Sequence, residues 1–518
     1  MLTVRDATIR LLRSLGITTV FGNPGSTELP LFRDFPADFR YVLGLQESVV
    51  VAMADGFSQA TRNAALVNLH SSAGTGHALG NLFTAFKNQT PLIVTAGQQA
   101  RSILPFEPFL FAERPTEFPR PFLKWASEPA LAKDVPRAIA RAYYEAMTPP
   151  CGPAFVSIPI DDWEAPADEI RARRIATTNP GDTGAVAALG RALDQARSPA
   201  FVLGAGVARD RAWEALVQLA ERQRAAVYVA PFASRNVFPE SHPLFGGFLM
   251  ANREALVEAL QSHDLIVSFG GPMNLYHTEG FGPHVPTHAE CWCISDNPGQ
   301  LAWAPEGSGI LANTRCVAEQ LLKLTETSQR PMPASRPQPA RLDPATLDDR
   351  LVMERIGACM PDGAIVVEEA PSSRPALQAY LRLNRPDTFY TTASGGLGYA
   401  LPAAVGVSLG SPGRRIVAIV GDGSAMYAIQ ALHAAFQTRA SITFVIVNNR
   451  GYSALENFGR LFGLTQVVGT DLNGLDFCLL ASGQGVPGTR VTRSQDLDSQ
   501  LTAAFAVDGP CLVEVRVS

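Results

Sequence analysis

Two polar residues directly follow two apolar segments in the last third of the chain. Asp422 comes after the segment Ile416 to Val420, and Asn449 comes after the segment Ile442 to Val447, with a helical pattern between them. Because the strands of such a βαβ unit run parallel, we expect both residues at the carboxyl edge of one sheet, where open α/β sheets bind ligands. Carboxylate and amide oxygens are hard donors that suit Mg²⁺ or Ca²⁺. The pattern therefore favours a metal site at this edge.

Glycines on both sides of Asp422 let the backbone approach an anion closely. Gly421 and Gly423 have no side chain to block such an approach, and a helix expected to begin near Ser424 points its unpaired N–H groups at the same place. A diphosphate carried on a metal ion is the natural occupant. A lone Gly-Asp-Gly sequence is more typical of an ordinary βαβ unit with a polar strand end, so the residues alone leave both interpretations open.

The sequence Gly421-Asp422-Gly423, followed after this interval by Asn448-Asn449, resembles the cofactor motif of thiamine diphosphate enzymes. The resemblance implies that thiamine diphosphate is held through a metal ion. It also implies three ligands of that ion: Asp422, Asn449 and the main-chain oxygen of Gly451.

The same resemblance implies further contacts with the cofactor. Ser372 is expected to serve the diphosphate because Pro371 stands where a hydroxyl residue would be expected. In the loop after Ser394, Gly395 is expected to offer its carbonyl to the pyrimidine amine, and Leu397 to hold the cofactor bent. The remaining residues expected to contact the cofactor are Gly25, Gly423, Ser424 and Tyr427.

A carboxylate opens a helical pattern in the first third of the chain. Glu47 follows the apolar segment Tyr41 to Leu45 and begins the sequence ESVVVAMADGFSQAT. By itself, a Glu in a first helical turn is more often a cap favoured by the helix dipole. The Ala54-Asp55-Gly56 pattern resembles the helix that, in thiamine diphosphate enzymes, carries the glutamate activating the aminopyrimidine ring. In that family this glutamate and the diphosphate site belong to different subunits, which implies a homo-oligomer, expected to be a tetramer with active sites at the dimer interface.

Four further side chains could bind a carboxylate or transfer a proton. Histidine suits proton transfer near neutral pH, and serine suits carboxylate binding. Ser26 lies in a loop after the short segment Thr18 to Val20, and His70 ends the segment Ala64 to Leu69. Two other histidines follow a Gly-Thr-Gly turn and an apolar stretch of the middle third, namely His77 and His277. Each of these residues alone is more often structural.

Nearly the whole chain resembles the benzoylformate decarboxylases, a family of thiamine diphosphate-dependent 2-oxo acid decarboxylases. The matching segments, in order, are FGNPGS, LQE, NLHS with AGTG, PLIVTAGQQ, PRPFLKW, DDW, GGLG with ALPAA, and GDGSA. The resemblance implies non-oxidative decarboxylation of a 2-oxo acid, benzoylformate or a related aryl or branched acid, to an aldehyde and CO₂. It further implies Ser26 as carboxylate binder, His70 as proton donor and acceptor during addition and decarboxylation, and His277 as the later proton donor.

The resemblance also implies an apolar substrate pocket, lined by Leu110, Thr391, Ala454 and Phe458. Thr391 stands where an aromatic residue would be expected, which would widen or polarise the pocket and leaves a different acyl group open. The runner-up function is a carboligase or lyase that makes or cleaves 2-hydroxyketones, and an inactive relative is a third reading. Pyruvate decarboxylases match less well because His70 is followed by Ser71 and not by a second histidine. Acetolactate synthases match less well because no flavin site is recognisable.

The elements that must position these residues alternate between short apolar segments and helical patterns. This alternation predicts α/β architecture with three doubly wound parallel-sheet domains, the arrangement typical of thiamine diphosphate enzymes. We expect a pyrimidine-binding domain over residues 1–180, a middle domain over 181–327, a proline-rich linker over 328–346, and a diphosphate-binding and metal-binding domain over 347–518.

Composition argues against nucleic acid and membranes as partners of the chain. The net charge is −5 and no long basic run is present, so nucleic acid is a poor candidate partner. The longest apolar segments are far shorter than the roughly 20 residues needed to cross a bilayer. The pattern of the N-terminus predicts an amphipathic helix and not a signal peptide. Seven scattered cysteines suit a reducing compartment, and a cytoplasmic location is expected.

Overall fold

The structure is a computed structural model that describes residues 2–518, and it contains three six-stranded sheets. The chain forms two compact units. The first unit combines the residues up to Ile175 with Leu342–Leu377 and Thr391–Ser518, and the second combines Ala176–Arg341 with Gln378–Tyr390. The α/β architecture with three parallel sheets is the predicted one, whereas the predicted domain boundaries stay predictions.

The first third builds one sheet with the strand order β3-β2-β4-β5-β7-β6, in which all neighbouring strands are parallel. The N-terminal helix is amphipathic as predicted, and a capping box of Thr3 and Asp6 begins it. The elements are β1 Leu2–Thr3, α1 Val4–Ser14, β2 Thr19–Gly22, β3 Arg40–Leu43, α2 Glu47–Thr61, β4 Ala65–Leu69, α3 Ser71–Asn88, β5 Leu92–Gln98, β6 Trp125–Ser127, α4 Val135–Met147, β7 Pro153–Pro159 and β8 Pro166–Ala167.

The middle third builds the sheet of the second unit, with the order β11-β10-β9-β12-β13-β14 and parallel pairing throughout. The four inner strands of this sheet are largely apolar and buried, so helices can cover both faces. The elements are α5 Thr183–Gln195, β9 Pro199–Leu203, α6 Gly206–Arg209, α7 Trp213–Gln223, β10 Ala226–Val229, β11 Phe245–Phe248, α8 Arg253–Leu260, β12 Leu265–Phe269, β13 Glu290–Ser295, α9 Pro298–Ala302, β14 Ser308–Leu311 and α10 Thr314–Leu324.

The last third follows a connector, residues 325–348, that contains neither helix nor strand. Its sheet has the order β16-β15-β17-β18-β20-β19. The elements are α11 Asp349–Cys359, β15 Ile365–Glu369, α12 Arg374–Tyr380, β16 Phe389–Thr391, α13 Ala400–Gly410, β17 Ile416–Gly421, α14 Asp422–Met426, α15 Ala431–Thr438, β18 Ile442–Asn448, α16 Ser453–Leu461, α17 Phe477–Ser482, β19 Gly488–Val491, α18 Ser494–Phe505 and β20 Cys511–Arg516.

Each sheet changes its direction of winding at one strand. The strands that follow β2 in the chain lie on both of its sides, β3 on one and β4 on the other, and the same holds for β15 with β16 and β17. Open α/β sheets bind ligands at the carboxyl ends of the strands beside such a switch point. The fold therefore marks the loops after β2, β15 and β17 as binding positions.

Helices α2 and α13 of the first unit cross at two glycines. A Cβ atom on Gly56 would lie 2.2 Å from the Ala403 carbonyl oxygen, and one on Gly406 would lie 1.9 Å from the Met53 carbonyl oxygen. The Asp55 carboxylate is buried beside this crossing and accepts a hydrogen bond from the Tyr399 hydroxyl at 3.1 Å. Close backbone contact thus fixes the helix that Glu47 begins.

No helix within residues 2–518 combines the length and the apolar character needed to pass through a bilayer.

Replacing Gly406 by Ala is expected to destabilise the protein by about 1–3 kcal/mol, because the added methyl group must push two helix backbones apart. Urea unfolding would measure the change. The matched control is Gly80→Ala in α3, where a Cβ atom meets nothing within 4 Å and where helix propensity predicts a gain of up to about 1 kcal/mol. Equal unfolding free energies for the two variants would contradict the tight crossing.

Candidate functional site

The two oxygen donors predicted from the sequence meet at the carboxyl edge of the last sheet. Asp422 is the first residue of α14, directly after β17, and is only 3% exposed. Its Oδ2 accepts a hydrogen bond from the Gly451 N–H at 3.1 Å, and Oδ1 of Asn449 accepts from the same N–H at 3.1 Å. One backbone nitrogen therefore holds both oxygens close together, as the spacing predicted.

The chemistry of this donor set fits a divalent cation. Burial raises the pKa of Asp422 despite backbone N–H donors, and within residues 2–518 no side-chain cation forms an ion pair with it. A buried carboxylate is costly unless positive charge or hydrogen bonds balance it. Mg²⁺ would balance the charge, and the oxygens of Asp422 and Asn449 are ligands it prefers.

The two asparagines of the motif, Asn448 and Asn449, have different hydrogen-bond partners. Nδ2 of Asn448 donates to Glu514 on β20 at 2.8 Å, and its Oδ1 accepts from the Arg450 N–H at 3.0 Å. Arg450 itself adopts a left-handed conformation with φ of 63°, which non-glycine residues enter at a cost. The first asparagine thus fixes a strained turn, and that turn carries Asn449 and Gly451 to Asp422.

Small residues line the same edge. A Cβ atom on Gly423 would lie 2.3 Å from the ring of Tyr452, so only glycine fits beneath this ring. Ser424 is buried, whereas Tyr427 is largely exposed. Ser372 lies in a short turn after β15, the parallel neighbour of β17, so it reaches the same edge. The helix expected near Ser424 begins slightly earlier, at Asp422.

A buried glutamate clamps the loop expected to hold the pyrimidine. Gly395 has a φ of 72°, and its Cβ position is open for 4 Å. Farther along the loop, Glu369 at the end of β15 accepts hydrogen bonds from three successive backbone N–H groups at 2.6 to 2.7 Å, those of Gly398, Tyr399 and Ala400. Leu397 lies directly before these three residues and is partly buried. Glu369 was not predicted as a site residue, because its signal in the sequence is only a charged residue at the end of an apolar segment.

Helix α3 holds the same loop from the other side. Oγ of Ser394 lies 2.8 Å from Oγ1 of Thr84, and Nδ2 of Asn81 donates to the Gly398 carbonyl at 3.1 Å. The loop between β16 and α13 is therefore held by Glu369 on β15 of the last sheet and by helix α3 from the first third of the chain.

Glu47 is the first residue of α2 but does not cap it. The side chain of Gln46 accepts from the N–H groups of Ser48 and Val49, so it is the cap. The Glu47 carboxylate instead accepts from Nδ2 of Asn23 at 3.2 Å and lies 3.1 Å from Nδ1 of His77. Glu47 thus lies in the first turn of α2 without capping it, its carboxylate is held by Asn23 and His77, and its role in activating a cofactor stays a prediction.

The position of His77 corrects one expectation. Gly74-Thr75-Gly76 is not a turn, because these residues lie inside α3, which runs from Ser71 to Asn88. His77 reaches Glu47 because this helix packs against the start of α2. Glycines in a short polar segment predicted a turn, but packing against α2 favours the helix.

His70 lies directly after β4 and contacts a buried glutamate of the loop after β2. Nδ1 of His70 is 2.8 Å from Oε2 of Glu28, which is 1% exposed. Gly25 packs against the imidazole, since a Cβ atom there would lie 2.1 Å from Nδ1, and its expected contact with the cofactor stays a prediction. Ser26 lies in the same loop and is exposed. Glu28 was not predicted as a site residue, although it stands two residues after Ser26 in the same loop.

His277 lies in the second compact unit. Its N–H donates to the Ala251 carbonyl at 2.9 Å, and its ring stands edge-on to Phe232 with centroids 6.1 Å apart. The proton-donor role of His277 stays a prediction.

The residues expected to line a substrate pocket divide into two groups. Ala454 and Phe458 are on α16, and Leu110 is in the long loop between β5 and β6. Thr391, at the end of β16, is fully buried, and its hydroxyl donates to Glu368 while Arg374 donates to it at 2.7 Å. The Thr391 hydroxyl thus belongs to a buried polar network, and its place in a substrate pocket stays a prediction.

Three family models, all of thiamine pyrophosphate (thiamine diphosphate) enzymes, match successive parts of the chain. The N-terminal TPP binding domain matches residues 2–112, the central domain 186–321 and the C-terminal TPP binding domain 372–515. A benzoylformate decarboxylase of Pseudomonas aeruginosa is 41% identical over 99% of each chain.

Solved structures agree with these matches. The crystal structure of a benzoylformate decarboxylase from Polynucleobacter necessarius superposes with a TM-score of 0.97 at 38% identity, covering 100% of this chain and 99% of the other. A 4-hydroxybenzoylformate decarboxylase of Rhodococcus jostii RHA1 gives a TM-score of 0.96 at 40% identity, with the same coverage.

The clamp at Glu369 predicts a pH-dependent stability. Burial raises the pKa of Glu369 to about 7 from an ordinary value of 4.5. The folded state thus binds this proton more tightly than the unfolded chain does. Proton binding to Glu369 therefore stabilises the folded state fully below pH 4.5, and this stabilisation is lost as pH rises through about 7. Over that window the unfolding free energy of the wild type should fall by roughly 3 kcal/mol relative to Glu369→Gln. Urea unfolding of both proteins across this pH range would measure it, and a constant difference would refute the assignment.

Proposed function

The chain belongs to the thiamine diphosphate-dependent 2-oxo acid decarboxylases, and we propose that it converts an aryl 2-oxo acid such as benzoylformate to the aldehyde and CO₂. One observation carries the proposal: the chain matches a benzoylformate decarboxylase at 41% identity over 99% of both sequences. The convergence of Asp422 and Asn449, and the placement of Glu47 and His70 at the edge of the first sheet, support it.

The residues that would hold the cofactor lie at the edge of the last sheet. When bound, thiamine diphosphate supplies the electron sink that accepts the electron pair left by departing CO₂. Asp422, Asn449 and the main-chain oxygen of Gly451 would ligate Mg²⁺. The diphosphate would be held by Ser372, Gly423, Ser424 and Tyr427, and the loop carrying Gly395 and Leu397 would support the rings.

Residues at the edge of the first sheet would handle protons and the substrate carboxylate. Glu47 would exchange a proton with the aminopyrimidine ring, while Asn23 and His77 hold its carboxylate. Ser26 would donate a hydrogen bond to the substrate carboxylate. His70 would give and take a proton close by, and histidine is suited to this near neutral pH.

Apolar residues would keep water from the reacting carboxylate. Phe458 stacks on Phe462 with ring centroids 6.3 Å apart, and Ala454 lies one turn earlier on the same helix. Together with Leu110 they would favour loss of a charged carboxylate, since an apolar setting accommodates the neutral product better than the acid.

The active form is proposed to be a homo-oligomer, a tetramer with active sites at the dimer interface. Large apolar side chains are exposed in two segments of the first unit. Phe106 and Phe109 are 81% and 93% exposed, and a second group lies at the end of α16 and in the loop after it. That group consists of Leu461, Phe462, Leu464 and Val468. Such surfaces mark sites that a partner covers, and a second copy of the chain is the partner we propose.

A cytoplasmic location is proposed from the cysteines. All seven are free thiols, which a reducing compartment maintains.

We expect CO₂ release from benzoylformate with a kcat on the order of 1–10³ s⁻¹, dependent on both thiamine diphosphate and Mg²⁺. The assay would compare benzoylformate, 4-hydroxybenzoylformate, a branched aliphatic 2-oxo acid and pyruvate. Aryl acids should be preferred because the proposed pocket residues are apolar. No release from any acid would refute decarboxylation, and formation of 2-hydroxyketones with an added aldehyde would then favour carboligation.

Two alanine variants should separate activation from cofactor binding. Glu47→Ala should lower turnover about 100-fold or more while cofactor affinity stays near that of the wild type. Asp422→Ala should raise the dissociation constant of the cofactor roughly tenfold or more, as expected for the loss of at least 1.4 kcal/mol of binding. Isothermal titration with thiamine diphosphate and Mg²⁺, beside turnover, would measure both effects.

Mixing the two variants tests the shared active site. If each site combines Glu47 of one subunit with Asp422 of the other, a mixed dimer has one intact site, so random mixing restores about a quarter of wild-type activity. Without such restoration, each site would lie within one chain and the proposed interface would be wrong.

A further inference from the structure

Two oxygen atoms face Nδ1 of His70, and both can only accept a hydrogen bond from it. Oε2 of Glu28 lies 2.8 Å away, and Oγ1 of Thr27 lies 3.2 Å away. The Thr27 hydroxyl uses its single hydrogen to donate to Oε1 of Glu28 at 2.5 Å, so it has none left for His70. Nδ1 must therefore carry the hydrogen, and in the neutral ring the unprotonated nitrogen is Nε2.

The Glu28 carboxylate is held from every side. Its Oε2 accepts from the Gly25 N–H at 3.0 Å, and its Oε1 accepts from the Gly97 N–H at 3.0 Å. With Thr27 and His70, four donors surround a carboxylate that is 1% exposed. Such a set satisfies an ionised carboxylate without a neighbouring cation.

The glutamate and the imidazole are closely packed against two glycines. A Cβ atom on Gly97 would lie 2.2 Å from Oε1 of Glu28, and one on Gly25 would lie 2.1 Å from Nδ1 of His70. The glutamate and the imidazole are therefore enclosed between the backbones of β5 and of the loop after β2. The His70 side chain nevertheless keeps 22% of its surface exposed, so it still offers a face to a substrate.

We infer that Glu28 is a positioning residue that fixes His70 as the Nδ1–H tautomer and directs Nε2 to the substrate. This inference rests on the proposed function, because it assigns a partner to the proposed proton-transfer group. Nε2 takes up a proton and returns it, and no net proton remains on the enzyme. Glu28 stays ionised throughout and stabilises the imidazolium while it exists, as carboxylates do beside catalytic histidines.

The tautomer is the property to measure, because a glutamate that only braces the loop would not determine it. The holoenzyme, with thiamine diphosphate and Mg²⁺, would be labelled with ¹⁵N in its eight histidines, and His70→Gln would identify the His70 signals. In the wild type the neutral ring should give the chemical shifts of the Nδ1–H form. In Glu28→Leu the Nε2–H form should predominate. An unchanged tautomer would overturn the inference.

Kinetics provide the second readout. Glu28→Leu should lower kcat about 100-fold, with KM and cofactor affinity within about twofold of wild type. Glu28→Gln should lose less, because its amide oxygen can still accept from Nδ1–H; it also serves as the test variant if Glu28→Leu does not fold.

A double-mutant cycle links the two residues. In a His70→Gln background, Glu28→Leu should cost no further kcat, since its effect passes through His70. Additive losses, or equal losses of kcat and cofactor affinity, would show that Glu28 acts on the fold and not on His70. If the wild type turned over no 2-oxo acid, the proposed function would be refuted. The tautomer measurement would still test the contact between Glu28 and His70.

Discussion

A carboxylate buried at or near the end of a strand needs hydrogen-bond donors, and this requirement organises both sheet edges of the first unit. Burying such a charge without partners costs several kcal/mol. Glu28 receives the N–H groups of Gly25 and Gly97, and Glu369 receives three N–H groups at the start of α13. Asp422 receives those of Gly423 and Gly451. Each carboxylate thereby fixes a loop to a strand end, and the candidate site is built from these loops.

Glycine makes these contacts possible because the backbone must come within hydrogen-bond distance of a side chain. At Gly25 and Gly97 a Cβ atom would overlap the atoms being positioned, and at Gly423 it would overlap the Tyr452 ring. The glycines beside Asp422 suggested access for an anion. The structure adds that Gly25 and Gly97 leave room for His70 and Glu28, which is packing between residues of the same chain.

Much of this could be predicted from the sequence, because it depends on local pattern. The apolar segments before Asp422 and Asn449 are strands, and the helix that begins at Glu47 has the expected bounds. Features that depend on distant partners could not be predicted. Glu28 contacts Gly97, 69 residues away, and Glu369 contacts residues about 30 positions on. The burial of Thr391 against Glu368 and the helical state of Gly74-Thr75-Gly76 likewise depend on packing, which no spacing rule describes.

The clamped loop from Ala393 to Gly398 has a consequence for affinity. Fixing one residue's backbone costs about 1–2 kcal/mol of conformational entropy. Here Glu369, Asn81 and Thr84 hold the loop through contacts formed on folding. That entropy is lost before any cofactor arrives, so it is not subtracted from the binding free energy. The same loop, freed from its clamp, would weaken association without losing a single direct contact to the ligand.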